Sequence, residues 1–362
     1  MIVSKINTGD FIYYDLHSEE VITSNFIEDV NLGIYCDRLQ SITMDRISAD
    51  ITNKGTEGET KIAFDFTRIV AVQTNINGYF TTLKNIGYSI VFMNITKEII
   101  GQLGYDSIAN SDNKDSTIIF FDKTTLNLIK KEGYSRFYFF ENKNDFFPNN
   151  FKIEPVFKEY FKNKLKLYCE NHDKQHTSSY VYLTSYINIK KFISHEKQLC
   201  LFSIIKLAIK ALKEWRQSAP IPPYFPDIKN EIKAPILVCQ SLNSSYFVSV
   251  LSNLLKLDVL ILDKIGPINR IYNSMNKSII QDRNYIVVSD LVCLGTEVKI
   301  VKNIIEFLGG RYLGNIALIK TETLKKKDIK KKDATVAIFS LDRTNNKELK
   351  YFITTDLEEN NE

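Results

Sequence analysis

The sequence predicts an α/β protein of two domains, and three observations carry that prediction. At 362 residues the chain is longer than one core usually serves. Apolar runs of strand length alternate with helix-length amphipathic segments over 61–121 and again over 234–342, as βαβ units with a mostly parallel sheet require. Between them lies a stretch at 122–175, rich in Lys, Asn, Phe and Tyr, that continues neither series. We therefore divide the chain into a domain with its N-terminal extension at 1–121, a connector at 122–175, a second domain at 176–345 and a tail at 346–362.

The elements follow in order. "DFIYYD" (10–15) has strand character, and a helix is expected near 36–50. "NKGTEGET" (53–60) is a turn-rich break. "KIAFDF" (61–66) reads as a strand, "NINGYFTTLKNIG" (75–87) as a helix ending at Gly87, and "YSIVFMNI" (88–95) as a strand. "TKEIIGQLGYD" (96–106) is a helix with Thr96 as its cap, and "STIIFF" (116–121) a further strand. Within the connector, "PVFKEYFKNKLKLYCEN" is an amphipathic helix. "SSYVYLTSYINIKKFI" (178–193) reads as a strand and its approach. The helix 196–215 sets Leu199, Phe202, Ile205, Ile209, Leu212 and Trp215 at helical spacing. A proline-rich loop, "APIPPYFPD" (219–227), must be extended. Strands at 234–240, 258–264, 284–290, 312–320 and 334–342 and helices at 244–257 and 296–308 complete the second domain. Gly309–Gly310 stop the last helix with a left-handed cap.

Composition sets outer limits. The chain is 44% hydrophobic and 25% charged, an ordinary globular balance. Its 47 basic and 43 acidic residues leave a net charge of +4, too even to imply a nucleic-acid partner. Two segments would suit a nucleic-acid binder: the run "KKKDIKKKD" (325–333), with Lys325–Lys327 and Lys330–Lys332, which reads more simply as a solvated loop, and the aromatic and basic alternation within 122–175, which reads more simply as an amphipathic helix. The cysteines, Cys36, Cys169, Cys200, Cys239 and Cys293, form no C-x-x-C pair and no cluster with the four histidines. That argues against a metal centre or a disulfide framework and for a reducing, cytoplasmic setting. "MIVSKINTGD" lacks the profile of a signal peptide. "LCLFSIIKLAIKAL" (199–212) is too short, and too interrupted by Lys206 and Lys210, to span a bilayer.

With these segments in hand, the second half resembles the type I phosphoribosyltransferases, closest to the orotate phosphoribosyltransferase branch, over about 176–342. Three segments occur in that family's order. "SSYVYLTSYINI" is similar to the branch's hood. "PILVCQSLNSSYFVSVLSNLLKLDVLILDK" is similar to its strand, diphosphate loop, helix and strand. "NYIVVSDLVCLGTEVKIVKNIIEFLGGRYLGNIALIK" is similar to its signature strand, ribose-phosphate loop, helix and strand. The resemblance implies a Rossmann-like domain with a central, mostly parallel sheet. It also implies that an acidic pair at the signature strand holds ribose hydroxyls, and that a Thr- and Gly-rich loop wraps the 5′-phosphate at a helix N-terminus.

Carried across residue by residue, the acidic pair falls on Ser289 and Asp290, so only the second acid is present. The phosphate loop falls on Leu291 to Glu297. Gly295 and Thr296 keep its character, whereas Cys293 and Leu294 bring no strong donor. Glu297 departs furthest. A carboxylate about 4–5 Å from a phosphate repels it by about 3–4 kcal/mol at an effective dielectric of about 20, roughly a few hundredfold in affinity. Glu297 is also a favourable first-turn acid for its helix, and in that role it still opposes a phosphate. The diphosphate loop falls on "CQSLNSS" (239–245), where Asn243, Ser244 and Ser245 are small and can donate hydrogen bonds. Lys264 matches a basic position at the end of the next strand. The stretch matching the mobile loop, 265–283, offers Arg270 and Lys277 but no His.

A second resemblance covers 61–106, which is similar to the STAS domain of anti-sigma-factor antagonists. Asp65 matches that family's strand-end Asp, and Thr74 falls at its phosphorylatable position. Thr74 also reads as an ordinary helix cap; if phosphorylated, it would add roughly two negative charges at a helix start. The resemblance implies binding to a partner protein, to a second subunit, or to a small nucleotide.

Two functions follow. The first is a phosphoribosyltransferase-like protein with a degenerate diphosphosugar loop, which senses a nucleotide or phosphorylated ligand and regulates a partner, as in accessory components of bacterial phage-defence systems. The alternative is an active, divergent transferase, or an enzyme cleaving a nucleotide N-glycosidic bond. There Asp290 would hold the ribose hydroxyls, Mg²⁺ would bridge Asp290 and the diphosphate, and Lys264 and Arg270 would neutralise the leaving group.

Overall fold

The structure is a computed structural model. It describes residues 4–8, 11–16, 27–28, 38–39, 41–52, 61–67, 69–73, 75–86, 89–93, 95, 97–104, 117–121, 126–130, 153–171, 182–183, 185–215, 217–218, 234–239, 244–262, 281–293, 295–321, 335–341, 352–353, 355 and 357. The chain divides into two compact units, one formed by 1–22 and 34–160, the other by 23–33 and 161–362.

In the first unit a four-stranded sheet has the order β1 (Ser4–Asn7), β2 (Phe11–Asp15), β3 (Lys61–Asp65) and β4 (Ser89–Met93). The β1–β2 pair is antiparallel and the other two pairs are parallel. Period-2 alternation sends Ile12, Tyr14, Ile62, Phe64, Ile90 and Phe92 into one core. Three helices supply the rest of it: α1 (Ser41–Thr52) through Met44, Ile47 and Ile51, α2 (Ile76–Ile86) through Ile76, Phe80 and Leu83, and α3 (Lys97–Gln102) through Ile99. The i, i+3 or i+4, i+7 spacing of these residues sets them on one helix face. The Phe80 ring meets Phe64 at 5.2 Å and Phe92 at 4.9 Å, edge to face in both cases. Lys5 pairs with Asp50, which also accepts the Tyr14 hydroxyl at 3.2 Å, and this ties the antiparallel edge strand to α1.

The expected strand at 116–121 does not extend a parallel series. It is β5 (Thr117–Phe121), paired antiparallel with β6 (Leu126–Lys130) as a two-stranded sheet. The four-residue link between them is hairpin length and too short for a crossover.

The second unit contains most of the remaining elements. Helix α4 (Ile153–Lys166) carries the division between the units. The helix expected to run on through 171 stops at Lys166, because Cys169–Asn171 form a strand, β7, paired antiparallel with β8 (Ser185–Ile187). The strand expected over 178–193 is likewise corrected. Among the described residues of that stretch Tyr182–Leu183 and β8 are extended, and "IKKFISH" is helix α5 (Ile189–His195), opened by Asn188, whose side chain accepts the Lys191 N–H at 3.1 Å. Tyr182–Leu183 pairs with Phe352–Ile353, so the tail also contributes a strand.

The centre of this unit is a five-stranded, all-parallel sheet in the order β10 (Val259–Ile261), β9 (Ile236–Cys239), β11 (Asn284–Val292), β12 (Arg311–Thr321) and β13 (Thr335–Leu341). Strands buried on both faces read as continuous apolar runs, which is why "PILVC" and "YIVV" stand out in the sequence. Helix α6 (Lys197–Trp215) packs on β12 and β13, and α7 (Ser245–Leu255) on β9 and β10. The other face belongs to α8 (Thr296–Phe307), whose Val298, Val301 and Ile305 meet Ile236, Val238, Tyr285, Val287 and Ala317. Trp215 lies against Gly314 near the start of β12, where a Cβ on Gly314 would stand 2.6 Å from the indole. Lys210 bonds the Ala337 carbonyl near the start of β13 at 3.3 Å. Helix α6 therefore runs against the strands, and its first turn lies toward their C-terminal ends.

Candidate functional site

The strand order makes a switch point. The β9–α7–β10 crossover leaves in one direction and β11–α8–β12 in the other, so a crevice opens between the C-terminal ends of β9 and β11. In open parallel sheets this is where ligands bind, because two helices begin there with their unsatisfied amides facing the gap. Beyond the last β9 pairing, Cys239 with Val288, strand β11 continues for four residues against β12 alone and ends opposite Lys320. That ledge, Ser289 to Val292, borders the crevice.

Ser289 and Asp290 lie on the ledge. Asp290 is half-buried, and its Oδ1 accepts the Leu291 N–H at 2.8 Å. Ser289 is buried, and its hydroxyl has no hydrogen-bond partner among the described residues. Tyr285 and Val287 face α8, and by alternation so does Ser289. Cys293 follows in the turn. Its carbonyl accepts the Thr321 hydroxyl at 2.7 Å, which anchors the turn to the end of β12. Its buried thiol is pushed up to about 12, first by desolvation and then by the Asp290 and Glu297 carboxylates, so it is no nucleophile at neutral pH.

Gly295 is the cap of α8 and sits at φ +71°, a conformation that glycine adopts without a Cβ penalty. Its carbonyl accepts the Lys299 N–H at 2.9 Å, and it brings no side chain to bond the first-turn amides. Thr296 is exposed, and Glu297 is half-buried in the first turn. The other helix start differs. Ser244 caps α7, is buried, and makes no side-chain cap bond; Ser245 opens the helix, and no acid lies in its first turn.

The structure thus brings Ser289, Asp290, Cys293, Gly295, Thr296 and Glu297 together in one strand–turn–helix, and sets Ser244 and Ser245 at the adjacent helix start. Asn243, Lys264 and Arg270, as well as Thr74 and the lysine run at 325–332, lie outside the described residues. No group of three His, Cys, Asp or Glu among the described residues is arranged to hold a metal ion. None of the described helices is long and apolar enough to cross a membrane.

Two features escape a reading of the sequence. Thr321, 28 residues beyond Cys293, fixes the turn, and nothing local marks it. Near the first turn of α6, Glu196 accepts the Tyr168 hydroxyl at 3.1 Å and pairs with Lys164 at 3.2 Å, bracing α4 against α5 and α6. Burial and the Glu196 hydrogen bond raise the Tyr168 phenol above its usual range. Cys200, close by, is pushed up to about 12 by burial and by Glu196.

Solved structures similar to this chain are phosphoribosyltransferases of the adenine, hypoxanthine-guanine and orotate types, over about half its length. Adenine phosphoribosyltransferase from Thermoanaerobacter pseudethanolicus is 13% identical at a TM-score of 0.33, with 49% of this chain and 99% of that one covered. Orotate phosphoribosyltransferase from Aeropyrum pernix is 10% identical at a TM-score of 0.32, covering 52% and 93%. An HGPRT-ase from Leishmania tarentolae in complex with GMP is 16% identical at a TM-score of 0.29, covering 41% and 79%. No family model matches the sequence, and no curated protein does.

Proposed function

We propose that the second unit is a phosphoribosyltransferase-like binding module with a remodelled ribose-phosphate loop, which senses a nucleotide-like ligand rather than transferring its ribosyl group. The observation that carries this reading is Glu297. It stands in the first turn of α8, two residues after the left-handed Gly295, where a phosphate-binding loop relies on uncapped amides and a positive helix end. Ser289 in the preceding strand removes one acid of the pair that would grip the ribose, and Asp290 keeps the other. Asn243, Ser244 and Ser245 serve the anionic part of the ligand at the start of α7, whose first turn has no acid. Mg²⁺ would be called for only by a diphosphate ligand; Asp290 would then help to hold it, and the ion would offset the diphosphate charge.

The first unit supplies the output in this reading. The run of β3 ending on Asp65, then α2, β4 and α3 supports the reading of this unit as a STAS-like interaction domain. Its occupant is a partner protein or a second copy, and Thr74 is its candidate phosphorylation site, a position that also reads as a helix cap. Such a pairing of modules also fits an accessory component of a bacterial phage-defence system.

Thermal shift and calorimetry on the full chain test this, with phosphoribosyl diphosphate plus Mg²⁺ beside a nucleotide panel. We expect stabilisation by a nucleotide and no response to the diphosphosugar. Micromolar binding of phosphoribosyl diphosphate, lost in Asp290→Ala, would instead establish an active-type transferase site in which Lys264 and Arg270 face the leaving group.

A further inference from the structure

The ledge and the start of α8 also define which ligand group they accept. We infer that the tip of β11 and α8 binds an uncharged, hydroxyl-bearing group, the ribosyl end of a nucleoside, in the place where a 5′-phosphate would sit. This deepens the functional reading above and rests on it.

Four features of the tip lead there. The Ser289 hydroxyl is buried with the residue only 7% exposed, has no hydrogen-bond partner among the described residues, and lies on the face that carries α8. A buried hydroxyl in that state costs stability in the empty protein and recovers it when a ligand supplies the missing bond. Gly295 leaves the first amides of α8 without a side-chain cap, so the tip offers N–H donors. Asp290 and Glu297 bring carboxylate acceptors from either side of the turn, and both act on the Cys293 thiol between them.

Donors and acceptors are therefore interleaved. A sugar hydroxyl can accept from an amide and donate to a carboxylate in the same position. A phosphate only accepts, and it meets two negative groups. The α7 start, with Ser244 and Ser245 and no acid in its first turn, keeps the opposite preference.

The test is calorimetry on the full chain with adenosine, guanosine, cytidine and uridine, each beside its 5′-monophosphate. At least one nucleoside is expected to bind on the order of a hundredfold more tightly than its 5′-monophosphate. Glu297→Gln is expected to narrow that gap to about tenfold or less by admitting the monophosphate. Ser289→Ala is expected to weaken the nucleoside by about tenfold while the variant stays folded by circular dichroism.

Equal or tighter binding of the monophosphates to the unaltered protein overturns the inference. An unchanged gap in Glu297→Gln overturns it as well. If such monophosphate binding is lost in Asp290→Ala, the reading of the unit as a nucleotide binder stands without the inference. Failure of every probe to bind removes both.

Discussion

The two sheets end differently. In the first unit, β2 and β3 finish in register on Asp15 and Asp65, both buried. The Asp65 carboxylate is satisfied from its own surroundings: the Tyr13 hydroxyl donates to Oδ2, while the Thr67 N–H and hydroxyl donate to Oδ1 at 2.9 and 2.6 Å. In the second unit, the last four residues of β11 include Ser289, whose buried hydroxyl has no partner among the described residues, and Asp290, beside a glycine-capped helix start. A strand end whose polar groups answer one another holds the fold together. One that leaves a group unanswered has given up some stability, which a ligand can return. By that measure Asp65 is a structural acid, whereas Ser289 keeps a hydrogen bond to give, although an acid near a strand end marks both units.

Three substitutions sharpen or break that contrast. Asp65→Ala removes the acceptor of the buried Tyr13 hydroxyl and of both donors of the exposed Thr67, and we expect a loss of about 2 kcal/mol in the first unit. Urea unfolding followed by circular dichroism reads it, and a loss below about 1 kcal/mol would mean that this edge is not closed. Thr321→Val removes the bond to the Cys293 carbonyl with little change of shape, and should cost about 1 kcal/mol. Hydrogen exchange of the turn amides checks that the loss is local; protection equal to the unaltered protein would show that the turn needs no anchor. Ser289→Ala has the smallest expected effect and the opposite sign, a gain of about 0.5 kcal/mol in the unliganded chain. A clear loss in the same unfolding measurement would show that the hydroxyl is answered after all, and the contrast between the edges would disappear.

Where the sequence was legible, burial was two-sided or periodicity was long. "PILVC", "YIVV" and the 19-residue α6 belong to elements whose neighbours are all in the core, so their apolar pattern is unambiguous. The site turn was legible for a different reason. Acid, short turn, glycine and helix are consecutive, and consecutive residues need no tertiary information to be placed together. What failed depended on partners far along the chain. Residues 189–195 carry lysines and aromatics that suit either an edge strand or a short helix, and the Asn188 cap decides for the helix. The run at 117–121 reads like any buried strand until β6 is seen to return beside it. Phe352–Ile353 find their partner about 170 residues away, at Tyr182–Leu183. The Thr321 anchor and the Asp65 hydrogen bonds to Tyr13 are likewise links between distant strands, for which residue type gives no signal.

The contact between Trp215 and Gly314 has a practical consequence. The chain has 19 tyrosines but one tryptophan, and that indole lies at the opposite end of the sheet from the crevice. Its emission will therefore report melting of the second unit and stay nearly silent when a small molecule settles at the far end. Tyrosine and tryptophan signals followed together would give an optical readout that separates occupancy from unfolding without any added label.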